Sequence, residues 1–229
     1  MMRTLLPVAL VWALTLASIP AKPFLTFSTE DQTRLRAGEV MVWADKVDKK
    51  RFAFAAVLLD YPIDQVWALL DDKEASPTYI ANLRSAKLIS REANICVIAQ
   101  ETEAPGTGRT FKYEVEHTLT YPQLIAFRRL RGDLRHIEGT WFLDPVDEGT
   151  KKTLLVYNLH LDAGILVPQS FIASSQMKSL PVIMTSIREK LASQVWPPAA
   201  PVAGASPVAP APVLGGSPAN LVGSPQKLP

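Results

Sequence analysis

The chain carries one cysteine, Cys96, and three histidines, His117, His136 and His160. A single cysteine forms no internal disulfide and supplies no thiolate pair for zinc. No two histidines stand at the spacing that places two ligands on one helical turn. No metal and no cofactor is therefore expected. The Gly-x-Ser-x-Gly pattern of a nucleophile elbow does not occur, and Gly106-Thr107-Gly108 lacks the third glycine and the strand-to-helix setting of a phosphate-binding loop. That segment reads as a hairpin turn. An excess of one charge is missing too. Of 24 basic residues only Arg3 and Lys227 lie outside residues 22–195, which leaves 22 basic against 22 acidic residues in that stretch. With no net field, no nucleic-acid partner is expected.

A bilayer-spanning run is absent from the N-terminus, where residues 1–21 read MMRTLLPVALVWALTLASIPA. The apolar run at 5–17 is shorter than the roughly 20 residues a span needs. One positive charge, an apolar run and small residues up to Ala21 make the pattern of a signal peptide, with cleavage expected after Ala21. An exported protein, periplasmic or secreted, follows from that reading. Residues 196–229 have almost no charge and are dominated by proline and alanine, so a disordered tail is expected there. The piece left to fold, 22–195, has the length of one domain.

Within that piece the stretch 39–60 is β-like and broken by a charged turn at Asp48-Lys49-Lys50. Pro62 suits the first turn of a helix, and Val66, Trp67, Leu69 and Leu70 give it an apolar stripe. A second short helix is expected over 75–83. Strands follow at 86–91, 95–103, 110–121, 124–131, 137–145 and 153–162, separated by Glu92-Ala93-Asn94, Pro105-Gly106-Thr107-Gly108, Tyr121-Pro122-Gln123, Gly132-Asp133 and Glu148-Gly149. Links this short imply antiparallel pairing, because parallel strands need long crossovers. Residues 168–193 read as one long helix with Phe171, Ile172, Met177, Leu180, Met184, Ile187 and Leu191 near helical spacing, and Pro181 predicts a kink.

Alternation along strands sorts the candidate site residues, since successive side chains face opposite ways. On 110–121, Phe111, Tyr113, Val115, His117, Leu119 and Tyr121 share an inward face. On 153–162, Leu155, Tyr157, Leu159 and Leu161 point inward, while Val156, Asn158 and His160 point out. On 137–145, Ile137, Gly139, Trp141 and Leu143 share a face, with Gly139 expected to leave room beside Trp141. An inward His117 is either a hydrogen-bonded core residue, a polar anchor for a ligand headgroup, or a general acid or base. The tyrosines are either core aromatics or ligand contacts. In the basic run, alternation sends Arg128 to the face opposite Arg129 and Arg131, and with Arg135 and nearby Asp133, Glu138 and Asp144 the group reads as a solvated hairpin, with a phosphate-binding patch for an anionic lipid headgroup as the alternative.

The order of strand, short helices, antiparallel strands and long final helix makes an α+β protein. It resembles the START-like, polyketide cyclase-like (SRPBCC) superfamily with the helix-grip fold, whose curved antiparallel sheet wraps around a C-terminal helix. The resemblance rests on LLDYPIDQVWALLDD at 58–72, on GDLRHIEGTWFLDP at 132–145 and on VPQSFIASSQMKSLPVIMTSIREKL at 167–191. It extends over about 38–193 and is nearest to the coenzyme Q-binding START-domain branch, although Tyr61-Pro62 stands where that branch has Ala-Pro. The resemblance implies a monomer that binds or transports an apolar small molecule or lipid, with transient membrane contact left open. Phe111, Tyr113, Val115, His117, Gly139, Trp141, Tyr157 and Leu159 are its expected ligand-binding residues. Two alternatives stay open: a cyclase or dehydrase type of enzyme using His117 and a tyrosine, and an interaction module with a filled core.

Overall fold

The computed structural model describes residues 23–146, 151–164 and 167–196. The expected signal segment, the turn at Glu148-Gly149 and the expected tail from 197 onward lie outside the described residues. The elements run α1 (Thr29–Arg36), β1 (Met41–Val47), β2 (Lys50–Leu59), α2 (Ile63–Asp71), β3 (Leu83–Glu92), β4 (Ile95–Ala104), β5 (Arg109–Thr120), β6 (Leu124–Gly132), β7 (His136–Val146), β8 (Lys152–Asp162) and α3 (Gln169–Ser193). The strands form one sheet in the order β1-β2-β8-β7-β6-β5-β4-β3. Every pairing is antiparallel. This is the helix-grip fold.

Local chemistry explains the joints. The β1–β2 turn places Asp48 and Lys49 at φ 48° and 67°, the pair of positive angles whose twist matches that of the flanking strands. Pro62 caps α2, and its carbonyl accepts from the backbone N–H groups of Gln65 and Val66. Val66, Trp67, Leu69 and Leu70 are all buried, as the stripe requires.

Three expectations are corrected and one helix is added. Tyr121, expected to face inward, is 66 % exposed, with its hydroxyl donating to Asp64. The second short helix at 75–83 is only a 3-10 turn at Ser76–Thr78. Pro77 brings no N–H to a longer ladder, and Asn82, at φ 66°, swings the chain into β3. The polar opening of the domain holds a helix that no apolar stripe announces. In α1 the Ser28 side chain caps the first turn by accepting from the Asp31 N–H, and only Leu35 is buried. Third, a bulge in the β5–β6 ladder opposes Glu114 to Arg131 and the next residue, Val115, to Arg129. The extra residue, Leu130, restores Arg131 to the side of Arg128, where Glu114 and Glu116 pair with them. Arg129 is left on the Val115 side.

The two faces of the sheet are covered differently. On one, α3 packs chiefly on β2, with further contact to β1, β8 and α2. Register places Ala53 and Ala55 opposite Leu159 and Tyr157 on that face, and side chains this small let a helix approach closely. On the other face Ala56, Leu58, Leu154 and Val156 pack with Phe24, Phe27 and Leu35 of the N-terminal segment. Asn158, expected to point to solvent, is on this outer face but only 2 % exposed. Its amide is satisfied, since Oδ1 accepts from the Thr140 N–H and Nδ2 donates to the Thr140 hydroxyl.

Candidate ligand cavity

Because α3 rests on β2, it stands away from β4 to β7, and a cavity of about 150 Å³ lies between them. Of the expected residues, Phe111, Tyr113, His117, Trp141, Tyr157 and Leu159 line it. Val115 and Gly139 do not. Val115 is buried beside Arg129. At Gly139 a Cβ would come within 2.1 Å of the Asn158 carbonyl oxygen and 2.6 Å of the Phe127 ring. The room expected beside Trp141 is therefore taken by Phe127, and the glycine is there for close packing.

Phe127 lines the cavity and was not among the expected residues. It joins a wall of rings: His117 and Phe127 have centroids 5.7 Å apart, and Phe127 and Tyr157 are 6.2 Å apart. Tyr157 then stacks on Trp141 at 3.8 Å. Alternation along β6 identifies Phe127, which pairs with His117. From α3 come Phe171, Ile172, Ser175, Gln176, Ser179 and Ile183, so the helix offers polar as well as apolar groups. Phe171 is 43 % exposed at the helix start.

The electrostatics are uneven. His117 is only 9 % exposed, and its Nδ1 is buried without a hydrogen-bond partner. Burial, with the Lys73 and Arg91 charges adding to it, holds the imidazole well below its ordinary range, so it is neutral at pH 7. Lys73 is 5 % exposed, donates to the Leu70 carbonyl and pairs with Asp71 at 3.3 Å. Arg91 holds the same carboxylate at 3.0 Å. Two cations and one anion thus stand behind His117, a cluster formed across α2 and β3 that spacing in the sequence does not reveal. Burial also raises the hydroxyls of Tyr113 and Tyr157 well above the ordinary tyrosine range. Gln176 Nε2 is buried without a partner as well. The three-group clusters of His, Cys, Asp or Glu that hold a metal are not found among the described residues.

Residues 59–178 match the family model described as "Polyketide cyclase / dehydrase and lipid transport". No curated protein matches the chain. Among solved structures, a STAR-related lipid transfer protein from Xanthomonas axonopodis aligns with a TM-score of 0.58 at 16 % identity, over 67 % of this chain and 93 % of its own. The Zhui aromatase/cyclase from Streptomyces sp. R1128 aligns at 0.54 and 16 % identity, over 62 % of this chain and 93 % of its own. Human STARD10 aligns at 0.56 and 15 % identity, over 67 % and 69 %. At these identities the structures share the fold. The match over more than half its length makes this chain a member of the polyketide cyclase/dehydrase and lipid transport family.

Proposed function

We propose that the protein is an exported carrier that holds a lipid or isoprenoid-like molecule between its sheet and α3. The single observation that carries this reading is the cavity itself: aromatic and aliphatic walls with a few polar groups, the make-up of a small-molecule site. The family's description includes lipid transport, and a similar fold serves a protein named for lipid transfer. The resemblance over about 38–193 to the coenzyme Q-binding branch favours an isoprenoid-like ligand. Export rests on the charge, apolar run and small residues of 1–21.

A cyclase-type mechanism using His117 and a tyrosine is the second reading, and the burial of these groups weighs against it. A general acid or base works best with a pKa near the operating pH. Here His117 is held far below that range and both tyrosines far above it. Native mass spectrometry of the protein purified from its own compartment, followed by organic extraction, tests the carrier. The expected result is an apolar molecule that copurifies unchanged and a mature N-terminus near Lys22. Turnover of a bound polyketide in place of simple release would favour the enzyme.

A further inference from the structure

Two residues that line the cavity each carry a buried polar atom that the protein itself leaves unsatisfied. His117 Nδ1 and Gln176 Nε2 are each buried without a hydrogen-bond partner, one on β5 and one on α3, and both residues line the same space. Buried polar groups in folded proteins are nearly always paired, and an unpaired one marks a place where a partner arrives from outside the chain. On the outer face of the same sheet the buried Asn158 and Thr140 satisfy each other. The fold can therefore close such groups; of the three unpartnered buried atoms among the described residues, His117 Nδ1 and Gln176 Nε2 belong to the cavity lining and Arg129 Nε does not.

The chemistry of the missing partner is set by what surrounds these atoms. Gln176 Nε2 is a donor and calls for an acceptor oxygen. A neutral imidazole offers a donor or an acceptor at Nδ1, which a carbonyl or a hydroxyl respectively can meet. Behind His117 stand Lys73 and Arg91 against the single Asp71, a balance that favours the negative end of a dipole. A full negative charge finds no counterion in the lining, where the one charged side chain, Glu103, is itself acidic and paired with Arg84. Burying an ion without a partner costs far more than burying an oxygen that is hydrogen-bonded. The space is about 150 Å³, and a dry cavity of roughly that volume accepts a single aromatic ring.

Resting on the carrier reading, we infer that the cavity recognises a neutral molecule that inserts a ring-sized apolar group bearing a carbonyl or hydroxyl oxygen, for which Gln176 and His117 supply the hydrogen-bonding groups. Any longer apolar portion extends toward Phe171, an exposed apolar residue of the lining. Anionic headgroups, carboxylates and phosphates, are excluded from the interior.

Calorimetric or NMR titration with three probes of similar size tests this: acetophenone for the neutral acceptor, ethylbenzene for the bare hydrocarbon and benzoate for the anion. In the parent protein acetophenone binds at least as tightly as ethylbenzene although its carbonyl is harder to desolvate, and benzoate binds weakest. In Gln176→Leu the ratio of acetophenone to ethylbenzene affinity falls about tenfold, the size of a lost hydrogen bond. His117→Phe supplies the same ratio should the first variant fail to melt as the parent does. A ratio that changes by less than fivefold, or benzoate as the tightest probe, overturns the inference and leaves the carrier standing. Failure of all three probes to bind removes the carrier reading itself, and the inference with it.

Discussion

The two faces of this sheet solve opposite problems with the same strands. On the outer face β2 and β8 present Leu58, Leu154 and Val156, which the N-terminal segment seals with Phe24, Phe27 and Leu35, and Trp43 closes one side by stacking on Phe54. Across β8, one residue along, Tyr157 and Leu159 face a space that α3 does not fill. Asn158 and Thr140 pair with each other on the filled face, whereas His117 Nδ1 and Arg129 Nε on the open face, and Gln176 Nε2 on α3 above it, have no partner. A solid face that fixes the sheet's shape lets the other face keep a cavity without collapsing into it.

Substitution at neighbouring β8 leucines separates the faces most sharply. Leu154→Ala, with no exposure and full packing on the outer face, is expected to cost about 2–5 kcal/mol in urea denaturation. Leu159→Ala, already bordering empty space, is expected to cost less than about 1.5 kcal/mol, because fewer contacts are there to lose. Equal costs would mean that the inner face is as tightly packed as the outer one.

Gly139 sharpens the boundary between cavity and core. Gly139→Ala is expected to cost about 1–3 kcal/mol, since its Cβ meets the Asn158 carbonyl at 2.1 Å before it reaches Phe127. A variant as stable as the parent with a smaller cavity would return Gly139 to the lining.

His117 supplies a smaller effect with a definite sign. Its folded-state pKa lies below that of the unfolded chain. Between the two values the unfolded state binds the extra proton, so stability falls as pH drops below about 6.5. Denaturation at pH 6.5 and 5.5 should differ by on the order of 1 kcal/mol from this group. His117→Phe should flatten that interval, and parallel profiles for parent and variant would show that folding does not lower the His117 pKa.

Much of this architecture was legible in the sequence. The turn residues between strands, the stripe of α2 and the long final helix led to the antiparallel sheet and the helix-grip fold, and alternation brought six of the eight expected side chains to the cavity. What escaped has physical causes. Helix α1 buries only Leu35, so its cap at Ser28 and its acidic first turn were the sole signals. The bulge at Leu130 broke the alternation that sorted the arginines. Lys73, Asp71 and Arg91 meet only through tertiary packing. The cavity itself depends on where α3 rests, which no pattern within the helix specifies.

Tryptophan resonances put the central claim to its most direct test, because Trp141 lines the cavity while Trp43 belongs to the outer cluster. Titration with ethylbenzene, followed through the assigned indole signals, should shift Trp141 in a saturable manner and leave Trp43 in place. Shifts of equal size at both, or at Trp43 alone, would contradict a carrier that holds its ligand beneath α3.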